Sequence, residues 1–243
     1  MADNHLAEKL ASWLDEQSRK AGAEGFVVGL SGGIDSAVVA GLCKRVRPQH
    51  TLGVIMPCYS DPEDEKDGRL VAECFGIPYK TVCLDEVFRQ FLNVLNVEDY
   101  DPTKQDLPVV NIKPRLRMTV LYFYAARRKS LVVGTSNRAE IMVGHFTKYG
   151  DGGADLLPLA NLVKKDVRAL AEELGVPRKV IDRAPSAGLW YGHNDEVELG
   201  VTYDQLDHYL LTGEADQPVK EIIERLIRNS EHKRRLPLVP PVF

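Results

Sequence analysis

The chain lacks long hydrophobic segments, and neither sign of charge dominates it. No apolar run in its 243 residues approaches the roughly 18 residues that a membrane-spanning helix needs. Lys and Arg number 31 against 35 Asp and Glu, a formal net charge of −4. Nucleic-acid and membrane-surface partners both favour a strongly basic face. We therefore expect no nucleic-acid partner and no association with a membrane.

Cysteine is also scarce and widely spaced. The four residues Cys43, Cys58, Cys74 and Cys83 form no C-x-x-C pair. This spacing favours reduced thiols over a disulfide framework, and it does not support a metal site built from thiolates. The N-terminal stretch MADNHLAEKL is polar and acidic, unlike a signal peptide. We expect a cytoplasmic protein.

Strands alternate with helices at the spacing that is typical of a parallel sheet. Apolar runs predict strands at 25–30, 51–56, 78–84 and 130–134. Periodic stretches predict helices at 4–20, 36–46, 69–76, 85–95, 111–129, 137–143, 161–175, about 203–211 and about 217–229, with Asn111 and Asn161 as N-caps. The pattern indicates an α/β fold, a doubly wound, Rossmann-like parallel sheet flanked by helices.

No repeat or linker divides the chain, so we expect one domain over 1–243. Its nucleotide-binding core covers about 20–175, and a helical and loop segment covers about 176–243. The polar stretches 57–68, 97–108 and 183–197 are expected to be mobile loops that close over the site.

The sequence GLSGGIDS at 29–36 follows the first strand and opens a helix. The unpaired N–H groups of a first helical turn attract anions, and glycines let the backbone approach them closely. Neither a Walker A lysine nor the G-x-G-x-x-G spacing is present. Asp35 would repel a bound phosphate unless a cation such as Mg²⁺ lay between them. The alternative is that Asp35 only caps the helix.

This loop resembles the PP-loop of ATP pyrophosphatases, in which a substrate attacks the α-phosphorus of ATP. Four later stretches narrow the resemblance: NIKPRLRM (111–118), LVVGTSNRAEIMVGHFTKYGDGGADLLPL (131–159), PSAGLWYGHNDEVELG (185–200) and EHKRRLP (231–237). With the loop, they are similar to the ammonia-dependent NAD synthetase family over about residues 20–240. The resemblance implies that deamido-NAD is adenylated by ATP with Mg²⁺, and that ammonia then displaces AMP to form NAD.

The resemblance also implies roles for individual residues. Catalytic roles are expected for Asp35, Glu140, Asp155 and Lys164, with Asp35 and Glu140 as Mg²⁺ ligands. ATP is expected to contact Gly29, Leu30, Ser31, Gly32, Gly33, Ile34, Asp35, Ser36, Thr135, Lys164 and Ser186. Deamido-NAD is expected to contact Asn111, Arg115, Tyr122, Lys148, Asp151, Asp155, His232 and Lys233.

Two further expectations concern ammonia and assembly. Asp151 and Asp155 are expected to define an acidic pocket that attracts ammonium and accepts its proton. The family resemblance implies a homodimer in which the helix 111–129 forms the interface, and Asn111 and Tyr122 reach the partner's dinucleotide site. With one helix before the loop at 29–36 and no cysteine arrangement for glutamine hydrolysis, we expect free ammonia as the nitrogen source.

Two other functions stay open at this point. A tRNA-modifying PP-loop enzyme would need a basic groove or an added RNA-binding module. A nucleotide sensor without turnover would have lost metal or acceptor residues. Asp35, Glu140, Lys148, Asp155 and Lys164 are all present, so both alternatives are less favoured than the synthetase.

Overall fold

Four parallel strands form the centre of the molecule. The computed structural model describes residues 5–242. The strands are β1 (Gly25–Gly29), β2 (Thr51–Ile55), β3 (Tyr79–Thr81) and β4 (Ser130–Val133), in the order β3-β2-β1-β4. β1 pairs with both β2 and β4, so the loop that follows β1 leaves the middle of the sheet. In such sheets, ligands bind outside the carboxyl ends of the strands.

Helices and short turns connect the strands and continue beyond them. They are α1 (Leu6–Lys20), α2 (Ile34–Val46), α3 (Pro62–Cys74), α4 (Asp85–Val94), α5 (Leu107–Val110), α6 (Ile112–Arg127), α7 (Arg138–Val143), α8 (Lys164–Leu174), α9 (Arg178–Ile181), α10 (Asp195–Leu199), α11 (Tyr203–Thr212) and α12 (Gln217–Asn229), followed by a 3₁₀ turn at Glu231–Lys233. Within residues 5–242, none of these helices has the length and apolar content needed to cross a membrane.

Each face of the sheet carries its own hydrophobic core. On one face, α1, α2 and α8 contribute buried residues such as Leu14, Leu42 and Leu170. On the other, α4 and α6 contribute Phe88, Leu92 and Ala125. A third cluster joins α7 to α11 and α12 through residues such as Ala139 and Ile223. The fold is therefore α/β and doubly wound, as predicted, and α7 connects the sheet to the C-terminal helices.

Several predicted boundaries are wrong. The predicted mobile loop 57–68 contains the start of α3, because Asp61 accepts a hydrogen bond from Glu63 N at 2.9 Å and Pro62 occupies the first turn. Asn161 does not cap α8, which begins at Lys164 with Val163 at the cap position. Asn111 precedes α6 but does not cap it with its side chain.

Other differences are smaller. β3 extends over only three residues instead of the predicted seven, although Val82 N still donates to Ile55 O at 2.8 Å. The short helices α5, α9 and α10 lie in segments with no predicted helix, and α10 lies partly in the predicted mobile loop 183–197. The predicted first helix includes residue 4, which lies outside the described residues. Long helices bury one apolar face, so their hydrophobic periodicity is visible in the sequence. The short helices depend on local hydrogen bonds, which leave no such periodicity.

Candidate active site

The loop between β1 and α2 is closed by its own serines. Ser36 Oγ donates to Gly33 O at 2.8 Å, and Ser31 Oγ lies 3.1 Å from Ser36 Oγ. Gly32 has a φ of +79°, and a Cβ on it would lie 2.7 Å from Asp64 O. Only glycine adopts this conformation at low cost and also fits against α3. The loop is thus a preformed turn with N–H groups at the N-terminus of α2.

Asp35 lies in the first turn of α2, but it does not cap the helix. Gly33 occupies the cap position, without a side-chain cap. The Asp35 carboxylate accepts a hydrogen bond from Lys164 Nζ at 2.5 Å and another from Asn137 Nδ2 at 3.0 Å. The capping alternative for Asp35 is therefore wrong, and the side chain belongs to a polar cluster across the sheet's carboxyl edge.

Glu140 faces Asp35 within the same cluster. Asn137 Nδ2 donates to Glu140 Oε1 at 2.7 Å as well as to Asp35, so one amide group joins the two carboxylates. Asn137 and Glu140 also form a capping box at the start of α7. This local motif fixes the direction of the Glu140 side chain. Lys164 Nζ lies 3.7 Å from Glu140 Oε1, so its ammonium group lies close to both acids.

Burial and mutual repulsion control the charges of this cluster. Burial, together with the nearby Asp35 carboxylate, raises the pKa of Glu140 above its usual range. Burial opposes the positive charge of Lys164, yet Asp35 and Glu140 outweigh it and raise the Lys164 pKa. The Tyr203 hydroxyl lies 3.3 Å from Glu140 Oε1 and 3.2 Å from Asp195 Oδ2, so the two acids share its single proton as donor. In this cluster the Lys164 ammonium lies between the Asp35 and Glu140 carboxylates, and a second cation beside them would further stabilise their ionised forms.

A cavity of about 360 Å³ lies above the loop and this cluster. Its volume is in the range of sites for small molecules. The predicted ATP, metal and ammonia residues that line it are Gly29, Leu30, Ser31, Gly33, Ile34, Asp35, Ser36, Thr135, Glu140, Asp151, Lys164 and Ser186. Three predicted acceptor residues line it: Asp151, which is also a predicted ammonia residue, and Asn111 and Lys233. Residues from seven separate parts of the chain therefore meet in one space.

The other predicted acceptor residues lie outside the lining of this cavity. They are Arg115, Tyr122, Lys148, Asp155 and His232. Lys148 Nζ donates to the His232 carbonyl at 2.7 Å, so the loop after α7 and the C-terminal segment do meet. Asp155 accepts hydrogen bonds from Val132 N at 2.8 Å and from Tyr122 OH at 3.1 Å. The expectation that Asp151 and Asp155 line one pocket is therefore not supported, since only Asp151 lines the cavity.

Comparison with known proteins identifies the family. Residues 6–237 match the family model described as NAD synthase. An NH(3)-dependent NAD(+) synthetase of Carboxydothermus hydrogenoformans is 52% identical over 234 residues, which cover 96% of each chain. The chain belongs to the NAD synthase family. This assignment confirms the predicted family, the ligase class and ATP as a substrate of the family.

Two solved structures resemble the chain over nearly its full length. A structure of NMN synthetase from Francisella tularensis has a TM-score of 0.92 and 39% identity, covering 98% of both chains. An NH3-dependent NAD synthetase from Campylobacter jejuni has a TM-score of 0.78 and 26% identity, covering 97% of both. The predicted fold class is confirmed. The two alternatives outside the family, a tRNA-modifying enzyme and a sensor, have no support from these matches.

Two residues at the site, Asn137 beside the cavity and Arg183 in its lining, were not predicted as site residues. Asn137 joins Asp35 to Glu140, and its capping box with Glu140 is visible in the sequence as N-x-x-E. Arg183 lines the cavity beside Gly32 and forms ion pairs with Asp64 and Asp67. No local signal identifies Arg183, because its partners are more than 100 residues away in the chain.

Proposed function

We propose that this chain converts deamido-NAD to NAD with ATP and ammonia. A nicotinate carboxylate oxygen attacks the α-phosphorus of ATP, the bond to the β-phosphate oxygen breaks, and pyrophosphate leaves. Ammonia then attacks the activated carbonyl carbon, loses a proton, and AMP leaves. The single observation that carries this proposal is the meeting of the 29–36 loop with Asp35, Glu140 and Lys164 in one cavity of an NAD synthase family member.

The phosphate groups are assigned to the loop and to Lys164. The α2 N-terminus supplies backbone N–H groups, which stabilise anions together with the helix dipole. The Lys164 ammonium lies at the same edge of the sheet and is 96% buried, so water screens its charge little. A buried, fixed cation stabilises negative charge that develops on a leaving pyrophosphate. This assignment accounts for the absence of a Walker lysine within the loop.

Mg²⁺ fits the Asp35 and Glu140 pair. Both side chains supply hard oxygen ligands, and both lie within 4 Å of a single cationic nitrogen. Burial and the neighbouring Asp35 carboxylate raise the pKa of Glu140, so a cation bound between the two acids would favour its ionised form. When bound, Mg²⁺ would neutralise phosphate charge next to the loop. Asn137 keeps the two acids facing each other through its amide group.

Acceptor binding is assigned to the side of the cavity formed by α6, the 144–153 loop and the C-terminal segment. Asn111 accepts a hydrogen bond from Thr147 Oγ1 at 2.6 Å, which holds the loop against α6. Lys233 Nζ donates to the carbonyls of Gly144 and Phe146 at 2.7 and 2.8 Å. Asp151 accepts from Thr147 N at 2.9 Å and faces the cavity, where it is proposed to attract ammonium.

A homodimer is proposed from the exposed apolar side chains of α4 and α6. Phe91, Val94 and Leu95 are 45 to 76% exposed, and Phe123 on the adjoining α6 is 55% exposed. Exposed aromatic and aliphatic groups on neighbouring helices favour an interface. Tyr122 and Arg115 lie on the same α6, so a partner docked here would stand beside the acceptor residues that the cavity does not include.

A second acceptor is favoured by one observation. The NMN synthetase structure has a TM-score of 0.92, against 0.78 for the NAD synthetase of Campylobacter jejuni. An enzyme that forms NMN by the same amidation would take the mononucleotide of nicotinic acid, which lacks the adenylate half of deamido-NAD. The loop and the acidic cluster serve either acceptor, because both present the same nicotinate carboxylate.

Pyrophosphate release by the purified chain distinguishes these functions. The assay supplies ATP, Mg²⁺ and ammonium with either deamido-NAD or nicotinate mononucleotide, and the amide product is quantified. We expect a higher kcat/KM with deamido-NAD. A preference for the mononucleotide would replace the first proposal with the second, and release with neither acceptor would refute both. Glutamine in place of ammonium should support little turnover.

A further inference from the structure

A second cluster of potential metal ligands adjoins the first, since Tyr203 OH contacts both Glu140 and Asp195, and its residues His145 and Asp195 line the same cavity. His145 follows the end of α7, His193 precedes α10, and Asp195 is the first residue of α10. One ligand atom from each of these three residues lies within 4.8 Å of the other two. His145 Nε2 is 3.2 Å, and His193 Nδ1 is 3.8 Å, from Asp195 Oδ1. None of these residues has a role in the proposed synthetase chemistry.

We propose that His145, His193 and Asp195 form a binding site for a divalent transition metal of the Zn²⁺ class. Two imidazoles and one carboxylate are a common donor set for Zn²⁺. Ligand atoms about 2.0 to 2.2 Å from a tetrahedral ion are about 3.3 to 3.6 Å from one another. The two measured separations from Asp195 Oδ1 are close to that range, so small side-chain rotations complete the site.

The surroundings of the two imidazoles are those of metal ligands. His193 Nε2 lies 2.8 Å from Glu198 Oε2, which leaves Nδ1 directed toward Asp195. A carboxylate on the second ring nitrogen is the usual support for a metal-bound histidine. His145 Nε2 is buried and makes no well-aligned hydrogen bond within residues 5–242, although it lies 3.2 Å from Asp195 Oδ1. His193 is fully buried, and His145 is 11% exposed.

The competing arrangement contains no metal. In it, His145 is protonated and forms an ion pair with Asp195, while Asp195 keeps its hydrogen bonds from Ala187 N at 2.9 Å and Tyr203 OH at 3.2 Å. That arrangement satisfies the charges, and in it the Nδ1 of His193 makes two long contacts, 3.5 Å to Ser186 Oγ and 3.8 Å to Asp195 Oδ1. A metal ion would use all three donors at once and would fix the 183–194 segment next to the cavity.

Cobalt binding to the tag-free chain tests the site without reference to catalysis. Co²⁺ is titrated with Mg²⁺ in excess to occupy oxygen-rich sites, and absorption is measured in the visible range. We expect one Co²⁺ per chain with the intense bands of a four-coordinate ion, displaced by Zn²⁺. Trp190 lies 3.9 Å, between ring centroids, from His193, so its fluorescence should change in parallel.

Three variants complete the test. His145→Gln and His193→Gln should each weaken Co²⁺ binding by at least about tenfold, whereas the control His208→Gln, an exposed histidine of α11, should bind like the wild type. Zn²⁺ should raise the Tm of the wild type and of H208Q but not of the two site variants. If one site variant fails to fold, the other decides. Two results would overturn the proposal: the weak absorption of octahedral Co²⁺, or equal Co²⁺ binding by the wild type and a folded site variant. Either result would favour the metal-free His145–Asp195 ion pair.

Discussion

The ammonium of Lys164 lies 2.5 Å from Oδ2 of Asp35, and 129 residues of chain separate the two. The pair brings the N-terminus of α8 against the first turn of α2, below the phosphate loop. Asp207 supports this contact, because its carboxylate accepts hydrogen bonds from the backbone N–H groups of Lys164 and Lys165 at 3.0 and 2.8 Å. The α11 helix, which carries Asp207, therefore helps to place a cation beside the loop at 29–36.

Replacing Lys164 by Met should lower kcat by about 10²- to 10³-fold, the usual loss for a fixed charge-stabilising group. The variant should also unfold more easily, because Asp35 and Glu140 lose their shared cation. Mg²⁺ should then raise its Tm more than it raises the Tm of the wild type. Lys165→Met is the matched control, since Lys165 is exposed. Equal responses to Mg²⁺ would contradict a metal site at the two carboxylates.

Gly32→Ala should destabilise the chain, whereas Gly33→Ala should leave its Tm nearly unchanged. At Gly32 the backbone has a φ of +79° and a Cβ would lie 2.7 Å from Asp64 O. At Gly33 the φ is −88° and the nearest atom to a Cβ is Ser31 Oγ at 3.4 Å. Strain of this kind costs on the order of 1–3 kcal/mol. Thermal unfolding checks the difference, and similar Tm values for both variants would show that the loop adapts.

Asp151→Asn and Asp155→Asn should affect different substrates. Asp151 lines the cavity, so D151N should raise the KM for ammonium by removing a negative charge there. Asp155 contacts Tyr122 outside the cavity lining, so D155N should raise the KM for the dinucleotide and leave the ammonium KM unchanged. Steady-state kinetics with each substrate varied separately make the comparison. An increased ammonium KM in both variants would restore the predicted shared pocket.

Phe123→Asp should convert a dimer into monomers with low activity. Its ring is 55% exposed on α6 next to the apolar residues of α4, so a charge there would be desolvated in an interface. Sedimentation equilibrium measures the assembly state. Leu211→Asp provides the control, because Leu211 is 61% exposed on α11, which is remote from α4 and α6 in the fold. Dimers that persist in F123D would place the interface elsewhere.

The titration of Lys113 should raise the free energy of unfolding as the pH rises from about 8 to 10.5. Burial lowers the pKa of this fully buried lysine from 10.5 to about 8, and its Nζ donates to Leu189 O at 2.8 Å. Between those values the unfolded chain binds the proton and the folded chain does not, so rising pH favours folding. The wild type should gain up to about 3 kcal/mol relative to Lys113→Met over this window. Denaturant unfolding at several pH values measures the difference, and a constant difference would show that Lys113 titrates normally.

Local sequence was sufficient for the sheet and for the phosphate loop. The β1 strand is a short apolar run, and GLSGGIDS needs only glycines, two serines and a helix start to form its turn, all within eight residues. The predicted helix boundaries are wrong where a single side chain determines where the helix begins. Asp61 caps α3, which begins at Pro62, seven residues before the predicted helix at 69. The Asn111 side chain binds Thr147 instead of capping α6.

The residue types of the catalytic cluster were also predictable, because family motifs identify Asp35, Glu140 and Lys164. The contacts that these three side chains make could not be predicted from the sequence. Asn137 meets Asp35 across 102 residues, and Lys164 meets it across 129. Such contacts depend on how β1, β4 and α8 are arranged around the sheet, which no local pattern encodes. The same holds for Arg183 over Gly32 and for His145 beside His193 and Asp195.

The sequence alone determined the strands, the long helices and the anion-binding turn through short-range periodicity and backbone freedom. Only the tertiary structure decided which buried charges share a partner, because desolvation and Coulomb energies depend on distances that packing sets.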